Sequence, residues 1–261
     1  MTAEKATAQE ATRKVAFAKV LAIQIIAYVV LVALALVPGM MYGDAAKPAA
    51  VPFTIIASLA MVVLLVVFSP FRDGVAGHVI AAIAGLLSAI CATTVMLGNV
   101  IFPAGLDGGK SFSMEEAWIA GVGGLLIVLI IVSFGRQMAR ENRTHLIRSL
   151  SHSVVEGVAM IASAGWCFLP VLLPTTHSKA AAMSAASGAT VDMLSNVTTT
   201  WVVAAIVTVL VAVALTVCSY FWHRDADPEP DARSPWIGLA LLPVMLTGLA
   251  VGLAALAIVV L

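Results

Sequence analysis

Three side chains that could carry charge or exchange a proton stand four residues apart at the start of one apolar segment: Arg148, His152 and Glu156. Residues four apart share one face of a helix, so the three would form a single row. Histidine titrates near neutral pH, and an ionisable group inside a membrane segment often marks an ion or proton pathway. The row therefore predicts a proton-linked or ligand-linked function for His152 and Glu156.

The same spacing also fits a purely structural ion pair. Glu156 lies about one helical turn, roughly 5 Å, from the predicted start of its apolar segment at Ser153. Water and lipid headgroups still reach that depth. In this alternative, the carboxylate is paired with Arg148, with His152 or with a group on a neighbouring helix, and it performs no further function. The sequence leaves both interpretations open.

Half of the chain's eight arginines lie close together around this row: Arg136, Arg140, Arg143 and Arg148. Each arginine next to an anionic membrane surface contributes about 1 kcal/mol of attraction. This segment lacks the glycine-rich run of backbone donors that typically binds phosphate. We therefore expect the arginines to set the orientation of the chain and to contact anionic lipid or a partner protein, with a site for an anionic ligand as the alternative.

The motifs that would indicate an enzyme do not occur in the sequence. It contains no HExxH, no GxSxG and no glycine-rich loop ending in Lys-Ser or Lys-Thr. No nucleophile or metal-ligating set accompanies His152 and Glu156, and none of the three cysteines has a second Cys or a His at metal-ligand spacing. The sequence predicts no catalytic residue, no metal site and no cofactor.

The composition is that of a membrane protein. Apolar residues make up 61% of the chain and charged residues 11%, whereas soluble domains have about 45–50% and about 25%. The net charge is zero, so nothing indicates binding to nucleic acid. The lipid bilayer is the partner that the composition does predict.

Seven apolar segments are separated by prolines, glycines and polar residues, and each approaches the roughly 20 residues that cross a bilayer. Backbone groups in lipid must be bonded within their own segment, and no segment alternates as a barrel strand would. We predict an all-α integral membrane protein, a bundle of seven transmembrane helices in a single domain, 16–261, after a short cytosolic segment, 1–15. The predicted spans are 16–37, 53–69, 77–102, 117–134, 153–173, 201–222 and 236–261.

The lysines and arginines in the loops and at the ends of the spans predict the orientation. With the N-terminus in the cytoplasm, the cytoplasmic segments hold eleven lysines and arginines and the outer loops hold three. Basic residues are retained on the cytoplasmic side, so we expect the N-terminus inside and the C-terminus outside. The first span could also be a cleaved signal peptide, but its apolar run exceeds the usual 7–15 residues and favours a retained anchor.

Some residues inside the spans predict how the helices pack. Embedded Ser, Thr and Gln should bond to another helix or to their own turn, and small residues should bring the third and fourth helices close together. We expect Trp118 at a membrane interface and Trp166 in the packed interior. Gly165 and Pro243 are the positions where a helix could be interrupted.

These features favour a polytopic protein of the plasma membrane, and the abundant Ala and Val suit a bacterial inner membrane. The function most consistent with them is a non-catalytic membrane subunit or scaffold. A small transporter or permease with a proton-linked or ligand-linked Glu156 is the alternative. A carrier would require a water-accessible cavity at mid-membrane, whereas a scaffold would be filled with side chains.

Overall fold

The computed structural model describes the backbone of residues 2–42, 46–71, 74–94, 113–139, 146–172, 191–225 and 234–260. Within these ranges the chain is helical, and no strand is found there. In chain order the helices are α1 (Thr2–Tyr42), α2 (Ala46–Val67), α3 (Gly74–Thr93), α4 (Met114–Met138), α5 (Leu146–Ser163), α6 (Val191–Asp225) and α7 (Pro235–Val260). A 3₁₀ helix, Ala164–Leu172, continues directly from α5.

Six of these helices are long and apolar enough to cross a membrane, as the composition predicts. The exception is α2, in which the apolar stretch Phe53–Val67 is shorter. The predicted all-α class is therefore confirmed for the described residues, and the six long apolar helices fit a membrane protein. Crossing by α2 as a seventh span, and the orientation of the termini that depends on it, stay predictions.

The helix boundaries differ from the predicted spans at two prominent places. Helix α1 has no break at residue 15 and continues past Pro38 to Tyr42. Helix α3 ends at Thr93, and residues 95–102 of the predicted third span lie outside the described residues. The hydroxyls of Thr93 and Thr94 donate to the carbonyls of Ala89 and Ile90 in the last turn of the helix.

The fifth span changes from α-helix to 3₁₀ helix at Ala164, so the interruption that we expected at Gly165 is confirmed. Pro170, which has no N–H to donate, lies inside the 3₁₀ segment. Pro243 does not interrupt α7, which is helical from Pro235 to Val260. The carbonyl of Pro243 accepts a hydrogen bond from Thr247 at 2.8 Å.

Helix α4 begins at a capping box, which sets the start of this span. The Ser113 hydroxyl accepts a bond from the Glu116 amide at 3.2 Å, and the Glu116 carboxylate accepts one from the Ser113 amide at 2.8 Å. These two bonds satisfy amides that have no partner within the helix. Glu116 therefore has a structural function at this helix end.

Contacts between helix ends place the start of α1 beside the end of α6, and the start of α6 beside the end of the fifth span. Phe17 early in α1 packs against Tyr220 late in α6, with ring centroids 5.0 Å apart. At the opposite side of the bundle, the Trp201 indole donates a 2.8 Å bond to the carbonyl of Leu172. We call the side where α1 begins and α6 ends the Arg136 side, and the side where α6 begins the Trp201 side. These contacts agree with the predicted threading and leave open which side faces the cytoplasm.

Helix α7 forms the centre of the bundle and crosses the end of α5 without room for a side chain. A Cβ atom on Gly165 would overlap the carbonyl oxygen of Gly248, and a Cβ on Gly248 would overlap the carbonyl of Ala162. Only glycine permits two helices to approach so closely. The predicted packing residue Trp166 lies beside this crossing, 3% exposed, and donates a 2.9 Å bond to the Val244 carbonyl.

Trp118 is not at an interface, and that prediction is wrong. Its side chain is fully buried, packs against Phe168 and fills the space above Gly252, where a Cβ would overlap the indole ring. Its Nε1 donates to Ser88 at 3.1 Å, and Ser88 donates to the Ile161 carbonyl at 2.7 Å. This chain of bonds joins α4 to α3 and α3 to α5. Two of the small residues do not make the α3–α4 contact that they predicted: Gly85 of α3 meets Met160 of α5, and a Cβ on Gly123 of α4 would meet nothing within 4 Å.

Other embedded polar residues bond between helices as expected. Gln24 on α1 donates to Ser219 on α6 at 2.9 Å, and the hydroxyls of Tyr28 on α1 and Thr247 on α7 are 2.9 Å apart. These bonds hold α1 against the α6–α7 pair. Most of α6 otherwise presents apolar side chains to the surroundings.

Candidate functional site

Glu156 lies deep in the bundle, on the second half of α5. Its side chain is 0% exposed, while the neighbouring turn of the helix is apolar. An ionised carboxylate removed from water costs several kcal/mol unless it is paired and hydrogen-bonded. The position of Glu156 therefore requires a partner, and the structure supplies one from another helix.

That partner is His78, in the first turns of α3. Its Nδ1 lies 2.8 Å from one carboxylate oxygen of Glu156 and 2.9 Å from the other. When the Glu156 carboxylate is ionised, its oxygens only accept hydrogen bonds, and Nδ1 is then the protonated nitrogen that donates. Of the three pairings left open by the sequence, a partner on a neighbouring helix is the one found.

The pairing with His78 was missed because a sequence shows no contact between residues 78 positions apart. The His78 side chain is 17% exposed. The available signal was the threading: alternating spans place the first turns of the third and fifth helices on the same side. The threading allows His78 and Glu156 to meet, but it does not show which of the polar groups on that side pairs with Glu156.

Close packing on two sides of α5 holds Glu156 in place. Met160, one turn beyond Glu156, meets Gly85 of α3, where a Cβ would stand 3.0 Å from the Met160 Cβ. On the other side, Leu129 of α4 packs against Gly157, where a Cβ would stand 2.5 Å from a Leu129 methyl carbon. Small residues thus bring α3 and α4 against the turn of α5 that carries the carboxylate.

The same packing buries a row of residues on α4, of which two are polar. Leu129, Ser133 and Gln137 are four residues apart, and all three are buried. Leu129 and Gly157 are about equally far from the short connection between α4 and α5, so the two helices form an antiparallel hairpin. Ser133 and Gln137 therefore lie toward the Arg136 side, at the level of Ser153, which is also buried.

The spacing of His152 and Glu156 predicted that the two side chains form the site together, but His152 does not lie next to Glu156. Its ring packs against Phe71, just beyond the end of α2, with centroids 4.9 Å apart and planes inclined by 39°. The predicted row is therefore divided between two contacts. Glu156 faces α3, whereas His152 faces the end of α2.

Arg136 lies in the last turn of α4, where a positive charge is favoured by the helix dipole. Its side chain is partly buried, and its Nη1 is shielded from solvent. Arg140 and Arg143 lie outside the described residues. Arg148 belongs to the first turn of α5, and its side chain lies outside the described residues.

The pair can gain or lose one proton at His78 while Glu156 is ionised. With His78 doubly protonated, the pair is neutral overall, and with His78 singly protonated the pair carries one negative charge. Among the described residues, no group of three His, Cys, Asp or Glu side chains is placed to hold a metal ion. The His78–Glu156 pair can form an ion pair and exchange a proton.

Comparisons with known proteins add no family to this description. Neither a protein-family model, nor a curated protein sequence, nor a solved structure matches the chain.

Proposed function

We propose that the chain is a non-catalytic membrane subunit or scaffold of a bacterial plasma membrane. Its N-terminus and its basic segment, Arg136–Arg148, face the cytoplasm and contact anionic lipid or an acidic partner protein. The C-terminus lies outside. The positive-inside bias of eleven basic residues against three supports this orientation.

The observation that carries this proposal is the filled interior at mid-depth. The α5–α7 crossing at Gly165 and Gly248 leaves no room for a methyl group, and the rings of Trp118 and Trp166 occupy the adjoining space. A carrier requires a polar path through this region for its substrate. Tightly packed apolar side chains instead favour a structural function.

The basic segment supplies the surface for a partner or for lipid. Arg136 extends the positive charge from the last turn of α4, and three further arginines follow within the connection and the first turn of α5. Charged surfaces of one sign attract partners of the other sign and steer their approach. An acidic cytosolic segment or an anionic lipid headgroup fits this surface.

Affinity purification from native membranes tests the proposal directly. We expect a partner in stoichiometric amount with the wild-type chain, and its loss when Arg140 and Arg143 are both changed to Gln. The matched control is Lys179→Gln, which removes a positive charge on the predicted opposite face and should leave the complex intact. A chain that is purified alone, or a partner that is indifferent to the two arginines, would reject the partner-binding surface.

A second function, a proton-linked carrier, is supported by one specific observation. The buried carboxylate of Glu156 and the partly exposed imidazole of His78 form a two-helix pair that can exchange a proton with water on the Arg136 side. Intramembrane pairs of this kind occur in proton relays. This candidate requires movement of the closely packed helices α3 and α5.

Proton flux into reconstituted vesicles separates the two candidates. Vesicles containing a pH-sensitive dye and a potassium diffusion potential should show uptake above protein-free vesicles if the chain carries protons. Glu156→Gln should abolish that uptake, and Glu115→Gln, at the opposite end of the bundle, should not. Absence of uptake by the wild-type protein removes the carrier and leaves the scaffold.

A further inference from the structure

An apolar groove of about 520 Å³ runs between α1 and α2, away from the Glu156–His78 pair. Three alanines on its walls, Ala27, Ala57 and Ala60, leave space that larger side chains would fill. Its edges are open, since Ile26 and Ile56 are 60% and 64% exposed. The volume lies within the roughly 300–1,000 Å³ of pockets that bury small ligands.

The groove has the length of one bilayer leaflet. Its α1 wall extends from Ile23 to Leu34, which at 1.5 Å per residue is about 17 Å. The hydrocarbon core is roughly 30 Å thick, so the groove covers about half of it. At the Arg136 side, Ile237 and Leu241 of α7 close the groove, and α7 approaches the end of α2 so tightly that a Cβ on Gly238 would overlap the Phe68 carbonyl.

A positive charge stands at this closed end. Lys19 lies one helical turn before Ile23 on the same face of α1, and its exposed ammonium group is 6.0 Å from the centre of the Trp236 ring. Trp236 immediately precedes the groove residue Ile237, in the first turn of α7. The positive end of the α7 dipole lies on the same side. Lysine beside tryptophan at the end of a span is typical of the headgroup level of a membrane.

We propose that this groove binds one acyl chain of an anionic phospholipid whose phosphate is held at Lys19 and Trp236. The apolar walls, the length of one leaflet and the cation at the headgroup end together match the parts of such a lipid. Lipid is the solvent on the open side of the groove, so the chain enters laterally. The proposal holds whether the protein is a scaffold or a carrier.

Native mass spectrometry of the full-length protein in a neutral detergent tests the site. Phosphatidylglycerol and phosphatidylcholine with identical chains are titrated, and bound lipid is counted. We expect phosphatidylglycerol to bind about five-fold more tightly, the contribution of one basic residue at a membrane surface. Lys19→Gln should remove this preference, and Lys19→Arg should retain it.

A groove-filling variant tests the chain-binding part. Ala60→Phe should weaken both lipids by about ten-fold, the loss expected when roughly two methylene groups leave an apolar site. Ala214→Phe, on the exposed face of α6, is the matched control and should bind both lipids as the wild type does. The thermal midpoint of each variant, measured in the same detergent, confirms that the bundle is folded.

Three results would overturn the proposal. The first is equal affinity for the two lipids in the wild type, or a preference that survives Lys19→Gln. The second is displacement of phosphatidylglycerol by glycerol phosphate, which would show a headgroup site without a bound chain. The third is a lipid-free dimer that Ala60→Phe dissociates, which would show a second copy of the chain in the groove.

Discussion

At the scale of single residues, the pairing of Glu156 with His78 places a buried carboxylate of α5 against an imidazole of α3. A carboxylate with no exposed surface is tolerated because an imidazole from α3 donates to both of its oxygens, at 2.8 and 2.9 Å. The polar surroundings on α4 and α5, Ser133 and Ser153 among them, lie toward the same side. The stability of this end of the bundle should therefore depend on both members of the pair.

Removing the His78 imidazole should lower the free energy of unfolding more than neutralising the Glu156 carboxylate. His78→Ala leaves a buried carboxylate without this donor, and we expect a loss of about 1–3 kcal/mol in the free energy of unfolding. Glu156→Gln keeps an acceptor for His78 and should cost less. Thermal or denaturant unfolding in detergent measures both variants, and the double variant completes the cycle.

The informative outcome of that cycle is its coupling energy. If the two residues stabilise the protein through each other, the double variant loses less than the two single losses added together. Additive losses would mean that the contact contributes nothing to folding and that each residue acts through other neighbours. His152→Ala, whose ring packs against Phe71, serves as the control histidine outside the pair.

At the scale of the helices, small residues determine which helices touch. The α5–α7 crossing requires glycine at positions 165 and 248, and the Trp118 ring requires glycine at position 252. Bulky side chains between these positions then fill the interior. The small-residue pattern was readable in the sequence, but the α5–α7 crossing was not, because alanine or glycine occurs repeatedly in every span.

A single methyl group at the crossing should separate α5 from α7. Gly165→Ala places its Cβ against backbone, which cannot rotate away, and we expect a loss of about 1–3 kcal/mol in unfolding free energy. Gly123→Ala is the matched control, because nothing lies within 4 Å of its added Cβ. The control should be neutral or slightly stabilising, since alanine favours a helix more than glycine does.

The same measurement can reject this account of the crossing. A Gly165→Ala protein that unfolds at the wild-type temperature would mean that α5 and α7 separate without cost. Trp118→Ala gives a second test of the interior, because deleting a buried tryptophan side chain usually costs about 3–5 kcal/mol. A much smaller loss would show that the space above Gly252 refills easily.

At the scale of the whole molecule, the threading makes the firmest functional prediction. If α2 crosses the membrane together with the six longer helices, the two termini lie on opposite sides. The bias of basic residues then places the N-terminus and Arg136–Arg148 in the cytoplasm. The cytosolic partner proposed for the arginines is assigned from this orientation.

Reporter fusions behind Leu261 measure the orientation. A phosphatase that is active only outside the cytoplasm should be active there, and a green fluorescent protein fusion at the same place should be dark. A cysteine introduced at Asn142 should react with membrane-impermeant reagents only after the cells are opened. The opposite pattern at either position would reverse the assignment of both surfaces and exclude a cytosolic partner for the arginines.

The sequence by itself determined the class of protein, the approximate spans and the side on which basic residues gather. These follow from local quantities, namely the hydrophobicity of each segment and the charges between segments, and burial in lipid requires such segments to be helical. It also identified Glu156 as a group that needs a partner.

Only the tertiary structure decided which partner that is. The contact between His78 and Glu156, the burial of Trp118 and the crossing at Gly165 and Gly248 each depend on which of several similar helix faces meet. In lipid, apolar faces differ little in their attraction for one another, so shape and a few hydrogen bonds select among them. These contacts join residues far apart in the chain, so they cannot be read from a local sequence pattern.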